Sequence, residues 1–75
     1  MQDLTLEKAK TLKRCDIIYH KINKNSNGTH QKWKVNGKIK LWLTDKNRFQ
    51  IPVKHGLYSY GYIDQHNFKE FMIDN

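Results

Sequence analysis

The sequence has few of the residues that mark disulfide-bonded, membrane-spanning or metal-binding proteins. Cys15 is its single cysteine, so no internal disulfide can form and nothing indicates an oxidising compartment. No apolar run is long enough for a signal peptide or a membrane span, which predicts a cytoplasmic location. The four histidines are widely spaced, and none has another ligand at the short spacing of a zinc site. We therefore expect no metal and no other cofactor.

Acidic residues and glycines are also scarce. Seven Asp and Glu residues stand against 14 Lys and Arg residues, which gives a net charge of +7. The scattered carboxylates form no obvious acid–base pair, and the glycines form no phosphate-binding motif. Nothing in the local sequence favours Cys15 with His20 or His55 as a nucleophile and its base over a structural cysteine. The sequence therefore predicts a protein that is not an enzyme. Its excess positive charge either favours anionic partners or serves solubility alone.

The most informative stretch is residues 31–43, QKWKVNGKIKLWL. Apolar residues alternate there with lysines, the period of a strand with one buried and one solvated face. Asn36-Gly37 lies midway and is a strong turn signal, because both residue types tolerate positive φ. The pattern predicts a β-hairpin with a three-residue loop or a bulge near Gly37, in which Val35 pairs with Ile39.

Shorter elements flank this hairpin. A helix of at most two turns is predicted within residues 1–13, with Thr5 as its cap, and Asp64 is expected to begin a short helical turn. Pro52 lacks an amide proton, so its strand should lie at an edge or carry a bulge. Further strands are expected at 14–21, 48–54 and 57–63, with a polar loop at 22–30. About five short strands in residues 1–75 predict one small antiparallel β-barrel domain.

The same alternation separates the predicted core from the predicted surface. One set of apolar side chains shares the inward parity along the strands or returns to the core after the last turn. The predicted core is Trp33, Val35, Ile39, Leu41, Phe49, Ile51, Val53, Ile63, Phe68 and Phe71.

The order of these motifs resembles SH3-like β-barrels. The resemblance is carried by Leu12-Lys13-x-x-Asp16-Ile17-Ile18-Tyr19, a long polar loop, the Asn-Gly pair, Pro52-Val53-Lys54-His55-Gly56-Leu57-Tyr58, and Ile63-Asp64-x-x-Asn67. More closely, the chain is similar to small proteins of bacteria and their phages that have no assigned function. Cys15 stands where such barrels often have glycine before the aspartate of the first strand. Because SH3-like barrels bind proteins, RNA or DNA, the resemblance implies a binding module without choosing its partner.

A lysine-rich hairpin face is the strongest functional signal. Closely spaced ammonium groups repel one another unless an anion screens them, and a polyphosphate backbone supplies that anion. Aromatic side chains beside such a face can stack on unpaired bases. The sequence therefore predicts binding of RNA or DNA. The candidate phosphate contacts are Lys32, Lys34, Lys38, Lys40, Arg48 and Lys54, and the candidate stacking residues are Trp42, Tyr58 and Tyr60.

A protein-interaction module is the alternative prediction. Tyr19, the loop at 22–30, Trp42 and Tyr58 would then line a peptide-binding groove, and an acidic target would use the same lysines. If the likeness to phage proteins holds, the partner would be a host protein in the host cytoplasm. Neither prediction includes a membrane or a small-molecule substrate.

Overall fold

The computed structural model describes residues 1–74 and confirms the mainly β prediction. Within these residues, seven antiparallel strands form one sheet, and helix is confined to α1 (Leu6–Ala9) and a 3₁₀ turn (Phe68–Glu70). The strands are β1 (Gln2–Asp3), β2 (Ile17–Lys24), β3 (His30–Val35), β4 (Lys40–Leu41), β5 (Phe49–His55), β6 (Ser59–Asp64) and β7 (Phe71–Ile73).

The strands follow the order β1-β7-β2-β3-β5-β4, and β6 lies on the other side of β5. β5 is therefore central: one half of its first edge pairs with β3, the other half pairs with β4, and its second edge pairs with β6. The sheet is not closed into a barrel, because β6 pairs with β5 and with no other strand of residues 1–74. The predicted antiparallel barrel of about five strands is therefore corrected to an open sheet of seven strands within residues 1–74.

The predicted hairpin at residues 31–43 is wrong. β3 pairs with β2 and β5, whereas β4 pairs with β5 alone, so the two segments follow each other along one edge of β5. Neither Asn36 nor Gly37 has a positive φ, and the Asn36 N–H donates to the carbonyl of Pro52 at 2.8 Å. The Asn-Gly pair thus carries the chain past β5 instead of turning it back on itself.

Pro52 lies where β3 has ended and β4 has not begun. β5 is a central strand, but Pro52 lies between the residues that pair with β3 (Val53 and Lys54) and those that pair with β4 (Phe49 and Gln50), so neither strand requires an N–H donor from it. The segment between β3 and β4 lies close to the proline ring, since a Cβ on Gly37 would be 3.0 Å from Pro52 Cγ. The missing side chain of Gly37 is therefore what permits this approach.

The core lies on one face of the sheet. Six predicted core residues are buried: Val35, Phe49, Ile51, Val53, Ile63 and Phe71. Trp33, Ile39 and Phe68 are half-buried against them. The prediction that Leu41 belongs to the core is wrong, because β4 lies at the edge of the sheet and leaves this side chain 55% exposed. The prediction missed the buried Ile18, Ile73 and His20, which follow from β7 pairing with β2.

The chain before β2 covers one end of this core. Thr5 Oγ1 accepts the Lys8 N–H at 3.1 Å and caps α1, and Leu4, Ala9 and Leu12 are buried. The predicted loop at 22–30 is shorter than expected, because β2 continues to Lys24 and β3 begins at His30.

Cys15 adopts a left-handed backbone conformation in the tight turn that leads into β2. Its φ is +79°, and the Asp16 N–H closes the turn on the carbonyl of Lys13 at 3.0 Å. The turn is joined to β3, because the Cys15 N–H donates to the Val35 carbonyl and the Val35 N–H donates to the Asp16 carbonyl, each at 2.9 Å. This conformation favours glycine, which has no Cβ to clash with the backbone.

Replacing this cysteine with glycine is expected to stabilise the fold. A side chain in the left-handed region costs about 1–2 kcal/mol, and glycine loses part of that gain through greater freedom in the unfolded chain, so Cys15→Gly should raise the free energy of unfolding by about 0.5–1 kcal/mol. Urea denaturation measures the change. Cys15→Ser is the control, since it removes the thiol but keeps the strain, and it should change stability by less than about 0.5 kcal/mol. Equal behaviour of the two variants would contradict the strain argument.

Candidate functional site

One row of side chains crosses the solvent-facing side of the sheet, which we call the outer face. Cross-strand partners project on the same side, and the register pairs Ile17 with Lys34, Lys34 with Lys54, and Lys54 with Tyr60. These four residues, the central row, run across β2, β3, β5 and β6. Their neighbours along each strand point inward to the core, as the buried Val35 and Val53 do.

The centre of this row places two positive charges directly opposite each other. Cross-strand Cβ atoms lie about 4.5–5.5 Å apart, and like charges in that position are destabilising. Lys34 is exposed and Lys54 half-buried, and no carboxylate side chain of residues 1–74 forms an ion pair with either ammonium. By this general rule the Lys34–Lys54 pair is unfavourable, and no ion pair within residues 1–74 offsets it.

Aromatic side chains flank the two lysines. Tyr60 is 64% exposed at the end of the central row, and Tyr62, the cross-strand partner of Pro52, is 57% exposed beside it. On the opposite flank, Tyr19 pairs with Lys32, whose ammonium adds a third positive charge. The outer face thus combines three lysines with tyrosines on two sides.

The structure gathers three other predicted residues into a separate cluster at the β4 end. The Arg48 guanidinium carbon lies 4.2 Å from the centroid of the Trp42 ring, and Lys40 Nζ lies 4.9 Å from it. Both cations thus contact the indole by cation–π interaction, which is worth about 0.5–1 kcal/mol each at exposed sites. Trp42 serves here as a partner for side chains of its own chain.

A polar groove of about 430 Å³ opens beside this cluster. Trp42, Arg48 and Gln50 line it, together with the carboxylates of Asp45 and Asp64. Those carboxylates disfavour a phosphate at this position. The Trp42 cluster is accordingly a poorer phosphate site than the central row.

The remaining predicted residues lie apart from the outer face. Lys38 follows β3 and lines a small groove with Lys13, Arg14 and Ile39. Tyr58 is 89% exposed in the turn between β5 and β6. Sequence reasoning placed Lys38 and Lys40 beside Lys34 because it assumed the hairpin. The alternation of Tyr58, Tyr60 and Tyr62 in the sequence also identifies Tyr62 as a stacking candidate, and the structure exposes it beside Tyr60 on the outer face.

Three of the four histidines form ring hydrogen bonds with main-chain groups. His20 Nδ1 accepts the main-chain N–H groups of Ile22 and Asn23 at 3.2 and 3.0 Å. His30 Nδ1 is hydrogen-bonded to the carbonyl of His20, and His55 Nδ1 to the carbonyl of Lys32, each at 2.9 Å. In the described part of the chain, no group of three His, Cys, Asp or Glu side chains is placed to hold a metal ion.

Comparison of this chain with protein-family models, curated proteins and solved structures finds no significant match. None of the helices formed by residues 1–74 is long and apolar enough to cross a membrane. The outer face is therefore the feature from which we infer function.

Proposed function

We propose that this chain binds single-stranded nucleic acid through its outer face. The observation that carries the proposal is the uncompensated Lys34–Lys54 pair. A phosphate between the two ammonium groups would turn their repulsion into two attractions and would release counterions. Lys32 lies two residues from Lys34, about 6.6 Å along β3, so it would contact a neighbouring phosphate.

The tyrosines support single strands over duplexes. Tyr60 and Tyr62 are each more than half exposed, and they lie beside the lysines on the same face. Bases that are free of a partner strand can stack on such rings, each stack contributing about 1–3 kcal/mol, whereas bases inside a duplex cannot. We infer that phosphates lie over β3 and β5 and that bases lie over β6.

The strand order supports an open form of the SH3-like arrangement. Without the two-residue strands β1 and β4, the order is β7-β2-β3-β5-β6. The last of these strands in the sequence, β7, therefore pairs with the first, β2. A 3₁₀ turn, Phe68–Glu70, precedes β7. Four of these strands, β2-β3-β5-β6, form an antiparallel meander, and β7 lies beside its first strand, an arrangement consistent with a small binding module.

A protein-binding module is the second candidate, and a specific surface favours it. Leu43 is 99% and Leu41 55% exposed, and both line a mainly apolar groove of about 370 Å³. Lys10, Lys46 and Arg48 border this groove. An acidic protein, for example a host protein if the chain is of phage origin, would combine apolar contact with charge complementarity there.

Fluorescence anisotropy of a labelled 12-nucleotide single strand and of the matching duplex tests the proposal. Three lysine–phosphate contacts predict a slope of about −2 in log K against log salt, a loss of roughly 20-fold between 50 and 200 mM. The single strand should bind more tightly than the duplex. A flat salt dependence, or equal binding of a neutral peptide-nucleic-acid strand, would overturn the proposal and direct attention to the Leu41–Leu43 groove.

A further inference from the structure

β6 has a free edge that can accept another strand. It pairs with β5 through six consecutive residue pairs, from Gln50–Asp64 to His55–Ser59, without a bulge. Within residues 1–74, no strand pairs with its other edge. A strand in this position presents unpaired main-chain donors and acceptors to solvent.

Three hydrogen bonds define which residues present those groups. The Pro52 carbonyl accepts the Asn36 N–H at 2.8 Å and so points away from β6. Its partner Tyr62 must then point its own main-chain groups away from β5, since groups on one residue of an antiparallel strand face the same side. Asn67 agrees with this: its side chain donates to the Tyr62 carbonyl at 2.9 Å and accepts the Asp64 N–H at 2.8 Å. By the same alternation, the main-chain N–H and carbonyl of Tyr60 also point to the free edge.

Asn67 covers only one end of this edge. No side chain of residues 1–74 forms a comparable hydrogen bond with the N–H or carbonyl of Tyr60 or with the N–H of Tyr62. Natural edge strands are commonly protected by lysine, proline or a bulge. β6 has none of these, although the chain carries 14 Lys and Arg residues. The edge is therefore competent for strand addition.

A strand added to this edge would need different residue types on its inner side, toward the core, and on its outer side, toward the outer face. On the inner side, Gly61 has no side chain, and a Cβ there would lie 3.8 Å from Cζ3 of the half-buried Trp33. An apolar residue opposite Gly61 would pack over that indole. On the outer side, residues opposite Tyr60 and Tyr62 would lie about 10 Å, two strand spacings, from β5, within the combined reach of Lys54 and a glutamate.

We propose that an extended segment of a partner protein, in which acidic residues alternate with apolar ones, adds to β6 as an antiparallel strand. The acidic residues lie on the outer side, within reach of Lys54, and the apolar residues face Trp33. A second copy of this chain fits less well: both copies carry a net charge of +7, and pairing β6 with itself about Gly61 would leave Trp33 uncovered. The inference does not depend on nucleic-acid binding.

Synthetic peptides that share the same side chains but differ in which main-chain N–H groups are blocked test the proposed strand addition. The probe is an acetylated, amidated peptide of alternating Glu and Val with Phe at its centre. The Glu residues of the bound peptide lie opposite Tyr60 and Tyr62 and exchange main-chain hydrogen bonds with them. The main-chain N–H groups of the Glu residues should therefore face β6, and those of the Val and Phe residues should face solvent. N-methylation of two Glu residues should weaken binding about 10- to 30-fold, whereas N-methylation of two apolar residues should have little effect.

Nuclear magnetic resonance titration of the whole chain provides the readout. The unmodified peptide should slow amide hydrogen exchange at Tyr60 and Tyr62, and a scrambled peptide with its Glu residues contiguous should not. Equal affinities for the two N-methylated peptides would overturn the proposal. So would a chain that dimerises in sedimentation with Tyr60 and Tyr62 amides protected before peptide is added, because the edge would then belong to a second copy.

Discussion

Charge reversal at Lys34 and Lys54 together is expected to weaken single-stranded nucleic-acid binding about 100-fold or more at 50 mM salt. Each lysine–phosphate contact at this salt concentration is worth roughly eightfold in affinity, and two glutamates would add repulsion to the loss of two contacts. The double variant Lys34→Glu, Lys54→Glu should also flatten the salt dependence. Fluorescence anisotropy from 50 to 200 mM salt measures both quantities.

The same variant should leave the fold intact, which separates binding from stability. Two glutamates at a cross-strand pair repel much as two lysines do, so the free energy of unfolding should change by less than about 0.5 kcal/mol. The single variant Lys34→Glu behaves differently: it places opposite charges across the pair and should stabilise the fold by about 0.2–1 kcal/mol while weakening binding less. Opposite effects on stability and affinity are a signature of a functional lysine pair.

A matched control has the same net charge without touching the outer face. Lys8→Glu with Lys69→Glu reverses two exposed lysines, one in α1 and one in the 3₁₀ turn. If the outer face binds nucleic acid, this variant should lose far less affinity than the Lys34, Lys54 variant. Equal losses would mean that net charge alone attracts the ligand, and the outer face would then have no special role.

The faces of the strands could be predicted from sequence because side-chain alternation is a local property. Val35, Phe49, Ile51, Val53 and Ile63 point into the core whichever strands are neighbours, since inward and outward positions alternate every residue. The mainly β fold follows from the same signal. What alternation cannot supply is the identity of the paired strand.

The prediction of strand pairing is wrong at the strongest turn signal in the sequence. Asn36-Gly37 favours a hairpin, but Asn36 instead donates its N–H to the Pro52 carbonyl, and the chain continues along the same edge of β5. The gap between β3 and β4 also accommodates a proline in a central strand. Such an arrangement depends on contacts between distant residues, and the two-residue strand β4 is too short to show a period.

The candidate site was predictable only where it depended on strand faces. Lys32 and Lys34 lie on the outer face as expected, and Lys54 joins them because β3 and β5 are neighbours. Lys38 and Lys40 do not extend this row, because their placement required the hairpin. The free edge of β6 was not predictable, since it depends on which strand remains unpaired.

Truncation of Phe49 is expected to have the largest effect on stability. Its side chain is 1% exposed, and its ring centroid lies 6.1 Å from that of Phe68. Phe→Ala in a core costs about 3–5 kcal/mol, through lost burial and the cavity that remains. A 75-residue domain has about 4–11 kcal/mol of stability in total, so Phe49→Ala should bring the chain close to unfolding at 25 °C. Urea denaturation followed by tryptophan fluorescence measures the loss.

Leu41 is the matched control, because it is the cross-strand partner of Phe49 and yet 55% exposed. Leu41→Ala should cost less than about 1 kcal/mol, since most of the removed surface already contacts water. The hairpin predicted from sequence requires the opposite, because it buries Leu41 against Trp33 in the core. A loss of 2 kcal/mol or more for Leu41→Ala, about the least that a buried leucine costs, would therefore support the hairpin and contradict the observed strand order.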